Sequence, residues 1–145
     1  MDMSSQPPVQ DSARTPGASH RTLTVWRIVS AIVLVVMGAI HIYLVFYGVG
    51  GILGALFILN GVGALVLAAA VLLLRGRLLL AADVLSFLFM VGTLLALVLA
   101  LTVGLFGIHE VLSFKLVPTT LVVESVGSVI LAINAVLQYR ARGQG

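Results

Sequence analysis

Three side chains able to carry protons or hydrogen bonds interrupt otherwise apolar stretches of this chain: His41, Asn60 and Glu124. An imidazole and a carboxyl group withdrawn from water together are the pair from which proton-handling sites are made. An amide beside them adds one more donor and one more acceptor. At 1.5 Å of rise per residue each lies roughly 7 to 12 Å from one end of its apolar run, and all three fall on the same side if successive runs alternate in direction. His109 and Glu110 stand in the connection on that side. One outward-facing pocket built from His41, Asn60, His109, Glu110 and Glu124 is therefore the sharpest functional expectation. The plainer alternative makes Asn60 an interhelical hydrogen bond, His41 structural glue, Glu124 a hydrated group near an interface, and His109 and Glu110 a solvated loop.

A second group stands toward the opposite side. Asp83, Ser86, Met90 and Thr93 follow one another at steps of three, four and three, which places them on one face of a helix. Asp83 is expected to pair with Arg27, Arg75 or Arg77, with Asn134 at similar depth, as a structural clamp rather than a substrate site.

Other chemistry is poorly served. The chain has no cysteine, so disulfides, thiolate nucleophiles and sulfur-ligated clusters are excluded. An intramembrane bis-histidine haem would need two imidazoles at matching depth, and only His41 lies within an apolar run. His41, His109, Glu110 and Glu124 include nitrogen and oxygen ligands, but their spacing predicts no metal site. No nucleophile elbow, phosphate loop or zincin helix is present, and the glycine stretches GVGG and GVG lie in the wrong context for a nucleotide. We expect no catalytic residue, no metal and no cofactor from the sequence.

The elements that must position these groups are set by composition. Of 145 residues, 61% are hydrophobic and 9% charged, with a mean hydropathy of +1.21, a balance from which no water-facing surface can be built. Apolar runs are expected to span at about 27–47, 52–74, 78–105 and 119–138. Runs of this length in lipid must be helical, because the bilayer satisfies no backbone hydrogen bond. The expected fold is all-α: an integral membrane, antiparallel four-helix bundle. Gly61, Ala64 and Ala68 share one helix face, and Gly127, Leu131 and Ala135 share another, which favours close packing. Residues 1–21, rich in Ser, Pro and Gly, read as a disordered tail, and 143–145 as a short C-terminal tail.

Arg14, Arg21, Arg27, Arg75, Arg77, Arg140 and Arg142 fall on one side of such a bundle, and Lys115 alone on the other. The positive-inside rule then puts both termini in the cytoplasm, with the protein a multi-pass component of the inner (plasma) membrane. The basic residues mark helix ends rather than a stripe, so no nucleic-acid partner is expected. The expected partners are the lipid bilayer and either a second copy, as a homodimer, or another membrane protein.

The strings HIYLVFYGVGGILGALFILN, GLFGIHE and TTLVVES resemble small, uncharacterised four-helix membrane proteins of high-GC actinobacteria, over roughly residues 25–142. The resemblance brings no catalytic residue with it. In size and span count the chain is also similar to DoxX-like proteins and to the small multidrug transporters, although the latter carry their essential carboxylate in the first span, where this chain has His41. Three classes of function follow. The leading one is a non-enzymatic accessory or interaction protein. The second is a proton-coupled small-molecule carrier using Glu124 and His41, and the third a DoxX-like redox accessory that binds a quinone or a partner enzyme.

Overall fold

The computed structural model describes residues 16–104, 107, 109 and 112–143. Four helices account for most of them: α1 Pro16–Phe46, α2 Gly51–Leu73, α3 Gly76–Thr102 and α4 Val117–Arg142. There is no strand among the described residues. Their lengths of 31, 23, 27 and 26 residues correspond to roughly 35 to 46 Å, against about 30 Å of bilayer hydrocarbon. All four contain segments long and apolar enough to cross a membrane. Large apolar side chains such as Ile52, Leu59, Leu73 and Val129 remain mostly exposed on the outer faces.

Three boundaries sit within a few residues of the expected spans, and the first does not. Helix α1 begins at Pro16, inside the tail expected for residues 1–21. Proline is well suited to a first helical turn, where its missing N–H has no partner to lose. No proline follows before Arg27, and the single glycine, Gly17, stands at the helix start. Residues 1–15, 144 and 145 lie outside the described part. Between α2 and α3 the chain needs only Leu74 and Arg75, because Gly76 takes a positive φ of 59° that a side chain would resist.

The helices form a ring in which α1 packs on α2 and α4, and α3 packs on the same two; the α2–α3 seam is the slimmest. Hydrogen bonds fix the register. Arg27, early in α1, bonds carbonyls at the end of α2, while His41, late in α1, meets Asn60 in the first half of α2. Asp83, early in α3, bonds Asn134, late in α4. One end of the molecule, the Arg27 end, thus gathers the start of α1, the end of α2, the start of α3 and the end of α4. The opposite, His41 end gathers the rest.

Helices α1 and α2 approach closely at Gly38 and Gly61: a Cβ added to Gly38 would stand 3.0 Å from the Gly61 carbonyl oxygen and 3.1 Å from the Ala64 Cβ. Small residues permit this contact between backbones, which supplies packing where lipid supplies little hydrophobic drive. Mid-bundle, Leu34, Met37, Met90 and Leu131 are fully buried. Gly127 makes room for Val33 and for the thioether of Met90. This apolar layer separates two polar ones.

Candidate functional site

The polar layer at the His41 end starts from an oriented imidazole. His41 is buried, and its Nδ1 lies 2.9 Å from the carbonyl oxygen of Met37, one helical turn earlier. A carbonyl only accepts, so Nδ1 carries the proton and donates it. In the neutral ring Nε2 is then an acceptor, filled by the Asn60 amide Nδ2 at 3.0 Å. Phe57, one turn before Asn60, presses on the imidazole edge-to-face with centroids 5.0 Å apart. The ring is thereby held from α1 by its own backbone and from α2 by an amide and an aromatic face.

Glu124 approaches from α4. It is 1% exposed, and its Oε1 stands 3.9 Å from His41 Nε2, beyond hydrogen-bonding range. Among the described residues, neither Glu124 Oε2 nor Asn60 Oδ1 has a hydrogen-bond partner. Buried polar atoms of this kind are costly unless something else satisfies them. Ser128, one turn after Glu124, donates to the Glu124 backbone carbonyl at 2.7 Å.

These three side chains line a cavity of about 430 Å³ in the same half of the bundle. Thr93 and Thr120 are the other hydrogen-bonding side chains on its wall, and each already donates to a backbone carbonyl of its own helix or cap, Met90 and Leu116 respectively. The remaining lining is apolar, with Phe57 from α2, Phe89 from α3 and Phe114 from the α3–α4 connection among it. The wall comes chiefly from α2 and α3. Its lining residues Leu56 and Leu88 are exposed on those two helices, which puts the mouth at the slim α2–α3 seam. Gly92 widens the chamber, since a Cβ placed there would meet nothing within 4 Å. An apolar chamber with polar groups at one wall is the usual build of a small-molecule site, and the volume falls within the ordinary range for one.

Not every expected residue belongs to it. His109 is exposed and lines no part of the cavity; its ring lies against Gly104, where a side chain would collide with it. Gly104 itself takes a positive φ of 83°. Glu110 lies outside the described residues. Lys115 places its ammonium over the rings of Tyr47 and Tyr43, at 4.1 and 5.4 Å from their centroids, and so ties the α3–α4 connection to the end of α1. Among the described residues no three His, Cys, Asp or Glu side chains converge on a point.

At the Arg27 end the expected arginine–aspartate clamp takes another form. Asp83 is fully buried and its Oδ1 accepts from Asn134 Nδ2 at 2.8 Å. Arg27 turns to α2 instead: its Nη2 donates to the carbonyls of Val71, Leu72 and Leu74 at 2.9 to 3.0 Å, and Nε also reaches Val71. Those oxygens are left over at the end of a helix, where a guanidinium meets both their lone pairs and the negative end of the helix dipole. No bond joins Arg75 or Arg77 to Asp83. Ser30, Ser86 and Gln138 complete the buried polar layer; Ser86 shares a helix face with Asp83 by its spacing, whereas nothing in the sequence around Ser30 marks it. Gln138 follows Asn134 by four residues, and Thr120 precedes Glu124 by four, so helical spacing pointed to both.

No protein-family model, curated protein or solved structure matches the chain.

Proposed function

We propose that this chain is a multi-pass protein of the plasma membrane, an antiparallel bundle with both termini in the cytoplasm, whose activity is to bind an apolar small molecule with a polar head in the cavity beside His41, Asn60 and Glu124. The observation that carries this reading is the chamber of about 430 Å³, apolar on most of its wall and polar where the three side chains meet. A ligand dissolved in the bilayer would enter through the α2–α3 seam without crossing water. Its head would supply what Glu124 and Asn60 lack. A hydroxyl or amine that donates to a buried carboxyl or amide oxygen removes the cost those atoms carry alone. Such binding needs no bond to be made or broken, and it agrees with a non-enzymatic accessory role.

A carrier is the second reading, favoured by one feature: polar layers at both ends with Leu34, Met37, Met90 and Leu131 between them. In that case Glu124 would exchange a proton for the ligand head. Protonation of His41 Nε2 would force the Asn60 amide to turn over and present its oxygen, so a proton arriving at the imidazole rearranges the wall.

Photolabelling tests the binding reading. A diazirine derivative of decanol, irradiated with the reconstituted full chain, is expected to mark residues of α2 and α3 that line the cavity. Gly92→Leu should fill the chamber without disturbing the fold, because its Cβ has open space, and should remove that labelling. Labelling spread evenly over the lipid-facing surface, or unchanged in Gly92→Leu, would rule the cavity out as a binding site. Proton-linked uptake into vesicles by the parent protein, lost in Glu124→Gln, would decide for the carrier; photolabelling without flux would leave a binding protein.

A further inference from the structure

We infer a second binding site, for an anionic phospholipid, on the outer face of α3 at the Arg27 end. It goes beyond the reading of the cavity and shares only the membrane setting with it. A shallow groove of about 540 Å³ runs along α3 past Leu80, Ala81, Val84, Leu85 and Leu88, and at one end it is bounded by Arg77 and by Arg142 from the end of α4. Its apolar side chains are exposed or half-buried, and both arginines are exposed.

Three observations give the occupant its chemistry. The first is unmet positive charge. Neither Arg77 nor Arg142 has a hydrogen-bond or ion-pair partner among the described residues, unlike Arg27, whose guanidinium is consumed by the carbonyls of α2. The second is the lack of a side-chain counter-ion among the described residues. Asp83 and Glu124, the two carboxylates there, are 0% and 1% exposed, so neither of them meets the groove's charge. Two guanidinium groups offer the planar, multiply donating surface that phosphate oxygens take best. The third is the stripe below them. From Arg77 to Leu88 the helix rises about 16 Å, and past the charged end the side chains that line the groove are all apolar. A free phosphate would leave that stretch uncovered, whereas a phospholipid fills both parts with one molecule: phosphodiester at the arginines, acyl chain along α3. The placement also fits the cytoplasmic leaflet under the positive-inside rule, where anionic lipids meet clustered arginine.

Leu88 gives the site a second consequence, because it lines both this groove and the cavity. The tail of a bound lipid would end at the mouth between α2 and α3. Lipid bound here would therefore border the route by which a bilayer-dissolved molecule reaches His41 and Glu124.

The test titrates the full chain in detergent with phosphatidylglycerol, with phosphatidylcholine of the same acyl composition and with inorganic phosphate, reading bound lipid by native mass spectrometry. Phosphatidylglycerol should bind, and the Arg77→Gln/Arg142→Gln double variant should bind it roughly tenfold to thirtyfold more weakly with an unchanged unfolding temperature in the absence of lipid. Arg75→Gln, at the same end but outside the groove, should bind as the parent does. Equal binding of phosphatidylcholine, an equal loss in Arg75→Gln, full competition by phosphate alone, or an undiminished affinity in the double variant would each overturn the site. Photolabelling of the cavity by the decanol probe is read separately, so failure of one site leaves the other standing or falling on its own result.

Discussion

The imidazole Nε2 of His41 stands 3.9 Å from Oε1 of Glu124, close enough for the two to act on each other and too far for a hydrogen bond. Asn60 holds the place between them on the ring, at 3.0 Å from the same Nε2. The arrangement fixes the tautomer, with the proton on Nδ1 facing Met37 and a bare, amide-filled Nε2. Nitrogen-15 spectra of the histidine-labelled protein are expected to show this form for the resonance that disappears in His41→Gln. In Asn60→Ala the amide is gone, and Nε2 becomes free to take its hydrogen bond from Glu124 or from water, so the same resonance should move. An unmoved signal in Asn60→Ala, or a proton found on Nε2 in the parent, would break the proposed link between amide and imidazole.

Asp83 and Asn134 form the corresponding joint at the other end, and here a mutational cycle separates partnership from burial. Removing the amide in Asn134→Leu strips the buried Asp83 of its only donor among the described residues, a loss of about 1 to 3 kcal/mol, and Asp83→Leu leaves the amide of Asn134 without its acceptor. Replacing both with leucine removes the polar atoms together. That pair should cost much less than the sum of the single changes, because a buried polar partnership is expensive chiefly when broken on one side. Unfolding of each variant in detergent would give the coupling; simple additivity would mean that the contact contributes nothing.

How far the sequence led toward this geometry differs from residue to residue. The apolar runs made four helices legible, since their length and composition leave the backbone few alternatives. His41, Asn60 and Glu124 were legible as a group because alternating direction alone puts them at similar depth, and the structure brings them together. His109 did not join them, because the path of a connection is set by its local backbone, and depth arguments do not reach it. Charge offers Asp83 three arginines, Arg27, Arg75 and Arg77, but a free helix end competes for a guanidinium just as well, and Arg27 bonds the carbonyls of Val71, Leu72 and Leu74. The polar wall of a pocket at that depth was legible, but the apolar chamber beside it was not. It depends on which faces of α2 and α3 stand apart, and Gly92 is one glycine among fifteen until its surroundings are known.

Arg27 therefore makes a prediction of its own. Its several bonds to carbonyls at the end of α2 carry a full charge, and charge-assisted bonds of this kind contribute about 1.5 to 3 kcal/mol each at most. Arg27→Ala should lower the unfolding temperature in detergent. Arg27→Lys should recover only part of it, since one ammonium cannot reproduce a fork that spans three carbonyls. Full recovery by lysine would show that charge near the helix end is sufficient and that the fork geometry is incidental.

The close approach of α1 to α2 gives a steric counterpart. A Cβ on Gly38 would lie 3.0 Å from the carbonyl oxygen of Gly61, a backbone atom that yields only if the helices part. Gly38→Ala should be tolerated at a small cost, while Gly38→Val adds branches to the same gap and should lose about 1 to 3 kcal/mol. The opposite wall meets the same seam: a Cβ on Gly61 would lie 3.1 Å from the carbonyl oxygen of Gly38 and 2.6 Å from Cγ1 and Cδ1 of Ile42, so Gly61→Ala should cost at least as much as Gly38→Ala. Thermal unfolding of the three variants checks this, and a Gly38→Val as stable as the parent would mean that the helices are not in contact there.

The orientation in the membrane can be read directly because the chain contains no cysteine, so any cysteine introduced is the only one. Leu112, exposed in the connection at the His41 end, and Gly143, just past α4 at the Arg27 end, report opposite sides. Leu112→Cys in intact cells should react with a membrane-impermeant maleimide, whereas Gly143→Cys should react only after lysis. The arginine distribution requires this order under the positive-inside rule. The reverse order would move Arg77 and Arg142 to the outer leaflet and place the polar wall of the cavity in the cytoplasmic half. Labelling of both cysteines from outside would show that α4 does not cross the membrane as a single span.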